Sequence, residues 1–315
     1  MEKLRIVFMG TPEFAVGILD SILKNNYEVV GVITAADKPA GRGQKIKYSA
    51  VKEYVLDHQL HLLQPTNLKD EHFLEELKSL NANLQVVVAF RMLPEVVWKM
   101  PKLGTFNLHA SLLPDYRGAA PINWAIINGE TKTGVTTFFI DDKIDTGAII
   151  LSKETPIAFT ENAGALHDRL MNLGCDAVTE TLELIEKGEA TTTIQNDSSE
   201  DKTAYKLNKD NCKIDFTKSG IDIYNLIRGL SPYPSAWCTI IDDETESSVK
   251  IYDAKLQLET HSETIGKLLT TKKELRIAVL GGFLEITSLQ FPGKKRMNTA
   301  ELLNGMSISN HAKAL

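Results

Sequence analysis

Three polar side chains in this sequence carry the chemistry needed to move an acyl carbon between two nitrogens. Asn107 supplies an amide, His109 an imidazole and Asp145 a carboxylate. Addition of an amine to a formyl carbon builds negative charge on the formyl oxygen, which an amide N–H and a proton-donating imidazole stabilise. The attacking amine must lose a proton and the leaving nitrogen must gain one, and a carboxylate serves both transfers, directly or through water. No covalent enzyme intermediate is needed.

The spacing of Asn107 and His109 favours a shared site for these two groups. They are two residues apart at the end of the apolar run 103–108. Because side chains alternate along a strand, both would lie on one face near its carboxyl end, where open α/β sheets bind ligands. Taken singly, each residue has a plainer interpretation, because polar groups after strands are often structural and Asp-x-Gly is common turn chemistry. The functional hypothesis depends on the combination.

The elements that must position these residues alternate between strands and helices. Apolar runs rich in β-formers predict strands at 4–9, 27–34, 84–90, 103–109, 134–140 and 148–151. Helices are predicted after a Thr11 cap, over 120–127, and from a Thr160 cap to Gly188. This alternation predicts an α/β fold with a doubly wound, mostly parallel (Rossmann-like) sheet.

The pattern changes after residue 190. Residues 191–204 are polar, rich in Ser and Thr, and aperiodic, so they are predicted to form a linker. Beyond them, short β-like runs are separated by turns and accompanied by one predicted helix over 221–230. That pattern is typical of a small barrel. We therefore predict a catalytic domain over 1–190, a linker, and an OB-type β-barrel domain over 205–315.

Composition narrows the class of protein. The 315 residues exceed the usual size of one domain, and no apolar run approaches the roughly 20 residues that span a bilayer. The first residues lead directly into a predicted strand, which leaves no room for a secretory signal. The three cysteines share no metal-like spacing and are typical of reduced thiols. We expect a cytoplasmic enzyme without a membrane partner.

Charge is unevenly distributed along the chain. The net charge of -6 argues against a general nucleic-acid binder. Residues 209–315, however, hold 14 Lys and Arg against 13 Asp and Glu, whereas residues 1–208 carry a net charge of -7. Attraction of a polyanion therefore favours the C-terminal part and local basic segments, such as 36–47 and 294–296. A solvated loop or turn is the plainer interpretation of each segment.

Two other chemistries are not expected. A dinucleotide fingerprint needs a second glycine where Thr11-Pro12 follows Gly10, and no acidic residue ends the second predicted strand. Nicotinamide binding is therefore not expected. No metal site is predicted either, because the histidines other than His109 lack partners at ligand spacing.

The motifs together resemble those of the folate-dependent formyltransferases. Asn-x-His is followed by Ser-Leu-Leu-Pro and Tyr-Arg-Gly, with a downstream Asp-Thr-Gly. The stretches 8–15 and 117–122 resemble the members that act on methionyl-tRNA. The resemblance covers both predicted domains and the linker, and its motifs are far more specific than a glycine pattern.

The resemblance implies a donor, 10-formyltetrahydrofolate, and an acceptor, the amino group of methionyl-initiator tRNA, in translation initiation. Asn107, His109 and Asp145 match the catalytic residues of the family. The family's folate-binding segment matches Ser111, Leu112, Leu113 and Pro114, which would also suit a strand-to-helix turn. No metal is expected, and the chain is expected to act as a monomer.

Two further segments are assigned by the same resemblance. Residues 86–94 align with the wall of the pterin pocket, but Ala-Phe-Arg stands where many members have Ala-Tyr-Gly, so we assign no hydrogen bonds there. The segment 36–47 carries the Pro-Ala-Gly-Arg-Gly of a loop that reaches the end of the acceptor stem. Arg42, Lys45 and Lys47 would contact phosphates or insert between bases, and the glycines would let the loop order on binding.

Two alternatives stay open at this point. Formyltransferases that act on a small amine, such as glycinamide ribonucleotide or an amino sugar nucleotide, share the Asn/His/Asp centre. The basic segment and the barrel favour tRNA instead. A non-catalytic folate- or RNA-binding protein would not need the complete set. Within the motifs, Tyr116 and Arg117 are predicted to be loop and packing residues.

Overall fold

The computed structural model describes residues 3–40, 45–196 and 202–315. The strands are β1 Arg5–Gly10, β2 Glu28–Ile33, β3 Lys38–Ala40, β4 Lys45–Lys47, β5 Leu62–Leu63, β6 Leu84–Val88, β7 Thr105–His109, β8 Arg117–Gly118, β9 Lys132–Phe139, β10 Ile149–Pro156, β11 Thr203–Ala204, β12 Ala236–Asp242, β13 Thr245–Leu258, β14 Leu268–Thr270, β15 Leu275–Val279, β16 Gly282–Gln290, β17 Met297–Asn298 and β18 Lys313–Ala314. The helices are α1 Glu13–Lys24, α2 Ala50–Asp57, α3 Glu71–Ser79, α4 Glu95–Trp98, α5 Pro121–Ile127, α6 Ala163–Lys187, α7 Gly220–Gly229 and α8 Thr299–Asn304.

The N-terminal sheet has seven strands in the order β10-β9-β7-β6-β1-β2-β5. Strands β1, β2, β5, β6 and β7 pair in parallel, and β9 runs antiparallel to β7. The predicted α/β fold with a mostly parallel sheet is confirmed. Because β7 lies between a parallel and an antiparallel neighbour, its carboxyl end lies beside the end of β6 and the start of β9.

Burial explains why these apolar runs form central strands. Every residue of β6 is buried, as expected for a strand covered on both faces. Helix α1 buries Phe14, Ile18 and Ile22, which recur on one helical face. Helix α6 packs closely on the sheet, because a Cβ at Gly174 would lie 2.8 Å from a Cδ atom of Leu108 in β7. A glycine there lets the helix approach the strand that carries Asn107 and His109.

The C-terminal sheet is an antiparallel barrel that is nearly closed. Its order is β14-β15-β16-β13-β12-β18, with β17 paired to β16. An antiparallel bridge between Lys267 and Lys313 joins the segment before β14 to β18, so the two edges of the sheet meet. The interior is apolar, with Ile277, Leu284 and Ile286 almost fully buried. The predicted OB-type barrel is confirmed.

Three local predictions were wrong. Pro12, not Thr11, occupies the N-cap of α1, and no side chain caps that helix. Helix α6 begins after Asn162, whose Oδ1 accepts from the amide of Ala165, so Thr160 is not the cap. The C-terminal part also contains a second helix, α8. Cap positions are set by which polar side chain reaches the first free amides, and neighbouring candidates are equivalent in sequence.

Chain contacts group the protein into two compact units that are each discontinuous in sequence. One comprises Met1–Gly118, Thr133–Thr155 and His167–Thr203, and the other comprises Ala119–Lys132, Pro156–Leu166 and Ala204–Leu315. The division into 1–190, 191–204 and 205–315 stays a prediction about domain bounds.

Within residues 3–40, 45–196 and 202–315, no helix is long and apolar enough to cross a bilayer.

Candidate active site

Asn107 lies in β7, where it is paired with Val87 of β6 on one side and with Phe138 of β9 on the other. The residue is half-buried, and its Oδ1 is a buried atom with no hydrogen-bond partner among the described residues. Leaving a buried acceptor unsatisfied costs about 1–3 kcal/mol. The free acceptor therefore marks a place where a ligand N–H can bind.

His109, two residues further along β7, is held in a defined orientation. Its ring is buried, and its Nε2 lies 2.8 Å from the carbonyl oxygen of Tyr116. Because a carbonyl only accepts, Nε2 carries the proton of this hydrogen bond. Nδ1 consequently faces the other side of the ring, where the Oδ2 of Asp145 lies 3.8 Å away. That separation is longer than a hydrogen bond.

Asp145 lies in the loop between β9 and β10, and its carboxylate has one firm partner. Its Oδ2 accepts a hydrogen bond of 2.9 Å from the amide of Gly118. The side chain is 14% exposed, so the charge is largely shielded from solvent. The backbone at Asp145 has φ +56°, in the left-handed region that non-glycine residues enter only when their surroundings hold them there.

The structure thus brings together all three residues that the sequence singles out for catalysis. His109 and Asp145 face each other, and Asn107 shares the strand of His109. An imidazole at the end of β7, an amide on the same strand and a carboxylate that faces the imidazole form a suitable setting for acyl transfer between nitrogens. Their catalytic roles remain a proposal.

Tyr116, Arg117 and Gln195 contribute to the site in ways that sequence reasoning missed. Tyr116 provides the carbonyl that fixes the ring of His109. Arg117 donates to the side-chain oxygen of Gln195, whose amide nitrogen donates to the main-chain oxygens of Asp145 and Gly147. Gln195 belongs to the segment predicted as a linker, where a lone polar residue gives no signal of such contacts.

The segment 111–114 forms a tight turn after β7. The hydroxyl of Ser111 is buried and donates to the main-chain oxygen of Asp115, at 2.6 Å. Thr136 of β9 donates to the oxygen of Ser111 and accepts from the amide of Leu113. Leu113 is itself 7% exposed. The turn is therefore rigid, and the side chains of Ser111 and Leu113 serve its internal packing.

The other sequence-assigned segments lie as follows. Phe90 packs partly buried against the core, whereas Arg91 donates to the main-chain oxygens of Pro65 and Thr66. Strands β3 and β4 pair in an antiparallel manner, with Lys38 opposite Lys47 and Ala40 opposite Lys45. Lys45 and Lys47 are the first and last residues of β4, and Lys47 is exposed. Arg42 lies outside the described residues.

Neither a metal site nor a reactive thiol is evident in the described part of the chain. No group of three or more His, Cys, Asp or Glu side chains there could hold a metal ion. Burial raises the pKa of the Cys238 thiol to about 12, and burial also raises the pKa values of Cys175 and Cys212. These thiols are therefore protonated near neutral pH and poor nucleophiles.

Gly147 is the residue of the Asp145 loop that tolerates no side chain. A Cβ there would lie 1.6 Å from the main-chain oxygen of Phe139. We expect Gly147→Ala to lower the free energy of unfolding by about 1–3 kcal/mol, because the loop must shift to relieve the overlap. Formyl transfer should fall with it, since the loop carries Asp145. Thermal unfolding and an activity assay check both effects.

A suitable control is Gly188→Ala, which follows α6. A Cβ at Gly188 meets nothing within 4 Å, although its φ of +71° imposes backbone strain on any substitution. The control should therefore lose some stability and keep its activity. Full activity in Gly147→Ala would contradict the close packing of the loop.

The sequence profile of the Formyl transferase family matches residues 4–182, and that of the Formyl transferase C-terminal domain matches residues 206–307. A solved N-formyltransferase from Helicobacter canadensis, in complex with folinic acid and dTDP-3-aminofucose, has a similar fold. The TM-score is 0.66 at 25% identity over 90% of this chain and 98% of that chain. Fold, site and profiles define a formyl transferase.

Curated relatives narrow the class further. The methionyl-tRNA formyltransferase of Flavobacterium johnsoniae is 74% identical over 313 residues, covering 99% of each chain. That of Bacteroides fragilis is 53% identical over 317 residues, covering 99% of this chain and 98% of the relative. The chain belongs to the methionyl-tRNA formyltransferase family.

Proposed function

We propose that this protein transfers the formyl group of 10-formyltetrahydrofolate to the amino group of methionyl-initiator tRNA. The observation that carries the proposal is the buried, unpartnered Oδ1 of Asn107 on the same strand as His109, which faces Asp145. Full-length similarity to methionyl-tRNA formyltransferases supports the acceptor. A folate is the one-carbon donor, and the 10-formyl form carries the group that the reaction transfers.

Asn107 and His109 supply the electrostatic part of the reaction. The amide N–H of Asn107 donates to the formyl oxygen as negative charge develops there, while its free Oδ1 accepts an N–H of the attacking amine. Protonated His109 donates from Nδ1, because its Nε2–H is already engaged by the carbonyl of Tyr116. The ring of His109 is fixed by Tyr116 before substrate binds, so it needs little reorganisation during the reaction.

Asp145 supplies the proton transfers. Its Oδ2 accepts from Gly118, which leaves the second carboxylate oxygen to take a proton from the attacking amine, directly or through water. The same group returns a proton to the leaving nitrogen of the folate.

The turn at 111–114 is the proposed folate contact. Ser111 and Leu113 are buried in its packing, so the donor would meet main-chain groups of this rigid turn and the exposed sides of Leu112 and Pro114. A rigid wall beside the catalytic groups favours transfer because the formyl carbon is held in a reactive position.

The barrel offers a basic and aromatic surface for tRNA. The ammonium groups of Lys209 and Lys213 lie 5.2 and 5.6 Å from the ring centre of Trp237. The guanidinium of Arg296 lies 4.5 Å from the ring centre of Tyr252. Both aromatic residues are half-buried and the cations beside them are exposed, so these cations can contact phosphates and unstacked bases. We also propose a cytoplasmic monomer, in keeping with a tRNA substrate and reduced cysteines.

The function is tested with the purified full-length protein and 10-formyltetrahydrofolate. Acceptors to compare are methionyl-initiator tRNA, methionyl-elongator tRNA, glycinamide ribonucleotide and dTDP-3-aminofucose. We expect formylation of the initiator tRNA at the highest kcat/KM. Preferred formylation of a small amine would establish the alternative acceptor class, and folate binding without transfer to any acceptor would favour a non-catalytic protein.

Arg42 provides a test of the acceptor-stem contact. We expect Arg42→Ala to lower kcat/KM for methionyl-tRNA by roughly 10-fold and to reduce the slope of log(kcat/KM) against log[salt] by about one, because one phosphate contact is lost. Lys187→Ala is the control, since Lys187 is an exposed basic residue paired with Glu183 at the end of α6. Unchanged activity of Arg42→Ala on charged tRNA would remove Arg42 from the interface.

A further inference from the structure

Residues on either side of 197–201 contact two segments of the candidate active site. One segment contains Tyr116, and the other leads from Asp145 into β10. On one side, Thr193 pairs with Ile149 through two main-chain hydrogen bonds of 2.8 Å. On the other side, Lys202 accepts a hydrogen bond of 2.6 Å from the amide of Tyr116. The carbonyl of Tyr116 is the group that fixes His109. The segment predicted as a linker is therefore part of the structure that surrounds the catalytic groups.

Gln195 makes the most specific of these contacts. Its Nε2 donates to the main-chain oxygens of Asp145 at 3.0 Å and Gly147 at 2.8 Å. Its Oε1 accepts from Nε and Nη2 of Arg117, at 3.2 and 2.7 Å. Both donors of the carboxamide and its acceptor are used, so no other uncharged side chain of this length fits the position.

These contacts close a ring of interactions around Asp145. Arg117 precedes Gly118, whose amide donates to the Asp145 carboxylate. Gln195 also holds the main chain of the same aspartate. This one side chain therefore fixes the 145–147 loop relative to the segment that contains Arg117 and Gly118. The left-handed conformation of Asp145, at φ +56°, needs this support because a non-glycine residue keeps it only where its surroundings hold it there.

We propose that Gln195 is a positioning residue for Asp145: it holds the carboxylate opposite His109, where the proposed proton transfers to and from the reacting nitrogens take place. The inference rests on the proposed function, in which Asp145 moves the protons of formyl transfer. Gln195 itself does not touch the reacting atoms. It acts through the backbone of the 145–147 loop.

Kinetics of Gln195→Ala test the proposal. We expect kcat to fall roughly 30-fold with the KM for the folate donor changed less than about 2-fold, as for other residues that orient a reacting group. Gln195→Glu keeps the acceptor for Arg117 but places a carboxylate against two carbonyl oxygens, so its kcat should be as low as that of the alanine variant. Ile194→Ala is the matched control, because that neighbouring side chain is 80% exposed.

A double-mutant cycle with Asp145→Asn separates positioning from general stability. If Gln195 acts through Asp145, then Gln195→Ala should change kcat by less than about 3-fold in the Asp145→Asn background. A full 30-fold loss in that background, or an unchanged kcat in the single variant, would overturn the proposal. So would a loss that is explained by a lower melting temperature or by weaker folate binding.

The crystal structure of Gln195→Ala gives a readout that does not depend on the substrate. We expect the 145–147 loop to move and the distance between His109 Nδ1 and Asp145 Oδ2 to change. An unmoved loop would refute the positioning role even if the wild-type protein proved to act on another amine. Failure of the wild-type protein to formylate methionyl-tRNA would instead count against the proposed acceptor.

Discussion

Replacing Asn107 with alanine is expected to lower kcat about 100-fold while leaving folate binding nearly unchanged. The reason is the position of the side chain: its Oδ1 is buried and unpartnered, and its amide shares a strand with His109. Loss of one preorganised donor to a developing oxyanion costs on the order of 3 kcal/mol. Single-turnover formylation with saturating donor and acceptor measures the loss without a contribution from binding.

Asn107→Asp separates the two halves of the amide. The variant keeps an oxygen acceptor of the same size but lacks the N–H donor, and it adds a negative charge where the formyl oxygen becomes negative. We therefore expect turnover at least as low as in Asn107→Ala. Wild-type turnover in both variants would remove Asn107 from the mechanism. Folate affinity, measured by fluorescence quenching, serves as the control for an intact site.

Sequence reasoning predicted the strand that carries the site because its signals are local. The apolar run before Asn107 and His109 is long enough for a strand, and alternation alone places both side chains on one face. The convergence of Asp145 could not be predicted this way. Its position depends on the antiparallel return of β9 beside β7, which is a long-range pairing. The chemistry of its carboxylate and the resemblance to a family, rather than periodicity, singled out that residue.

Residues that act through backbone groups escaped prediction altogether. Gln195 contacts main-chain oxygens 48 and 50 positions away, and a main-chain oxygen leaves no trace in the sequence. The polar composition of 191–204 is also that of a solvated linker, so it does not indicate these contacts. Tyr116 is similar, since its contribution to His109 is a carbonyl that any residue would offer. Such roles depend on a left-handed turn or a loop crossing, which composition does not encode.

Short elements of the barrel were missed for a related reason. Strand β14 has three residues, β17 and β18 have two each, and α8 has six. Runs this short carry too few residues to show a period of either 2 or 3.6. The short strands form by pairing with longer ones: β14 with β15, β17 with β16, and β18 with β12. Longer strands such as β12 and β16, with seven and nine residues, are long enough to appear as β-like runs in the sequence.

Replacing Asp145 with alanine should have the largest effect, a loss of kcat of about 10³-fold or more, because both proton transfers of the proposed reaction depend on this carboxylate. Folate binding should persist, since the main-chain oxygen that Gln195 holds is unchanged. Stability should fall by only about 1 kcal/mol, because the amide of Gly118 loses its acceptor. Quenched formylation assays measure kcat, and calorimetric folate titrations measure folate binding.

Asp145→Asn distinguishes chemistry from structure. Asparagine keeps an oxygen for the amide of Gly118, so the loop should stay in place, but it cannot accept the proton of the attacking amine. We expect kcat close to that of Asp145→Ala with a restored melting temperature. Asp142→Asn in the same loop is exposed and should behave as wild type. Recovery of activity in Asp145→Asn would make Asp145 a structural residue, and so would loss of folate binding in Asp145→Ala. In either case proton transfer would need another base.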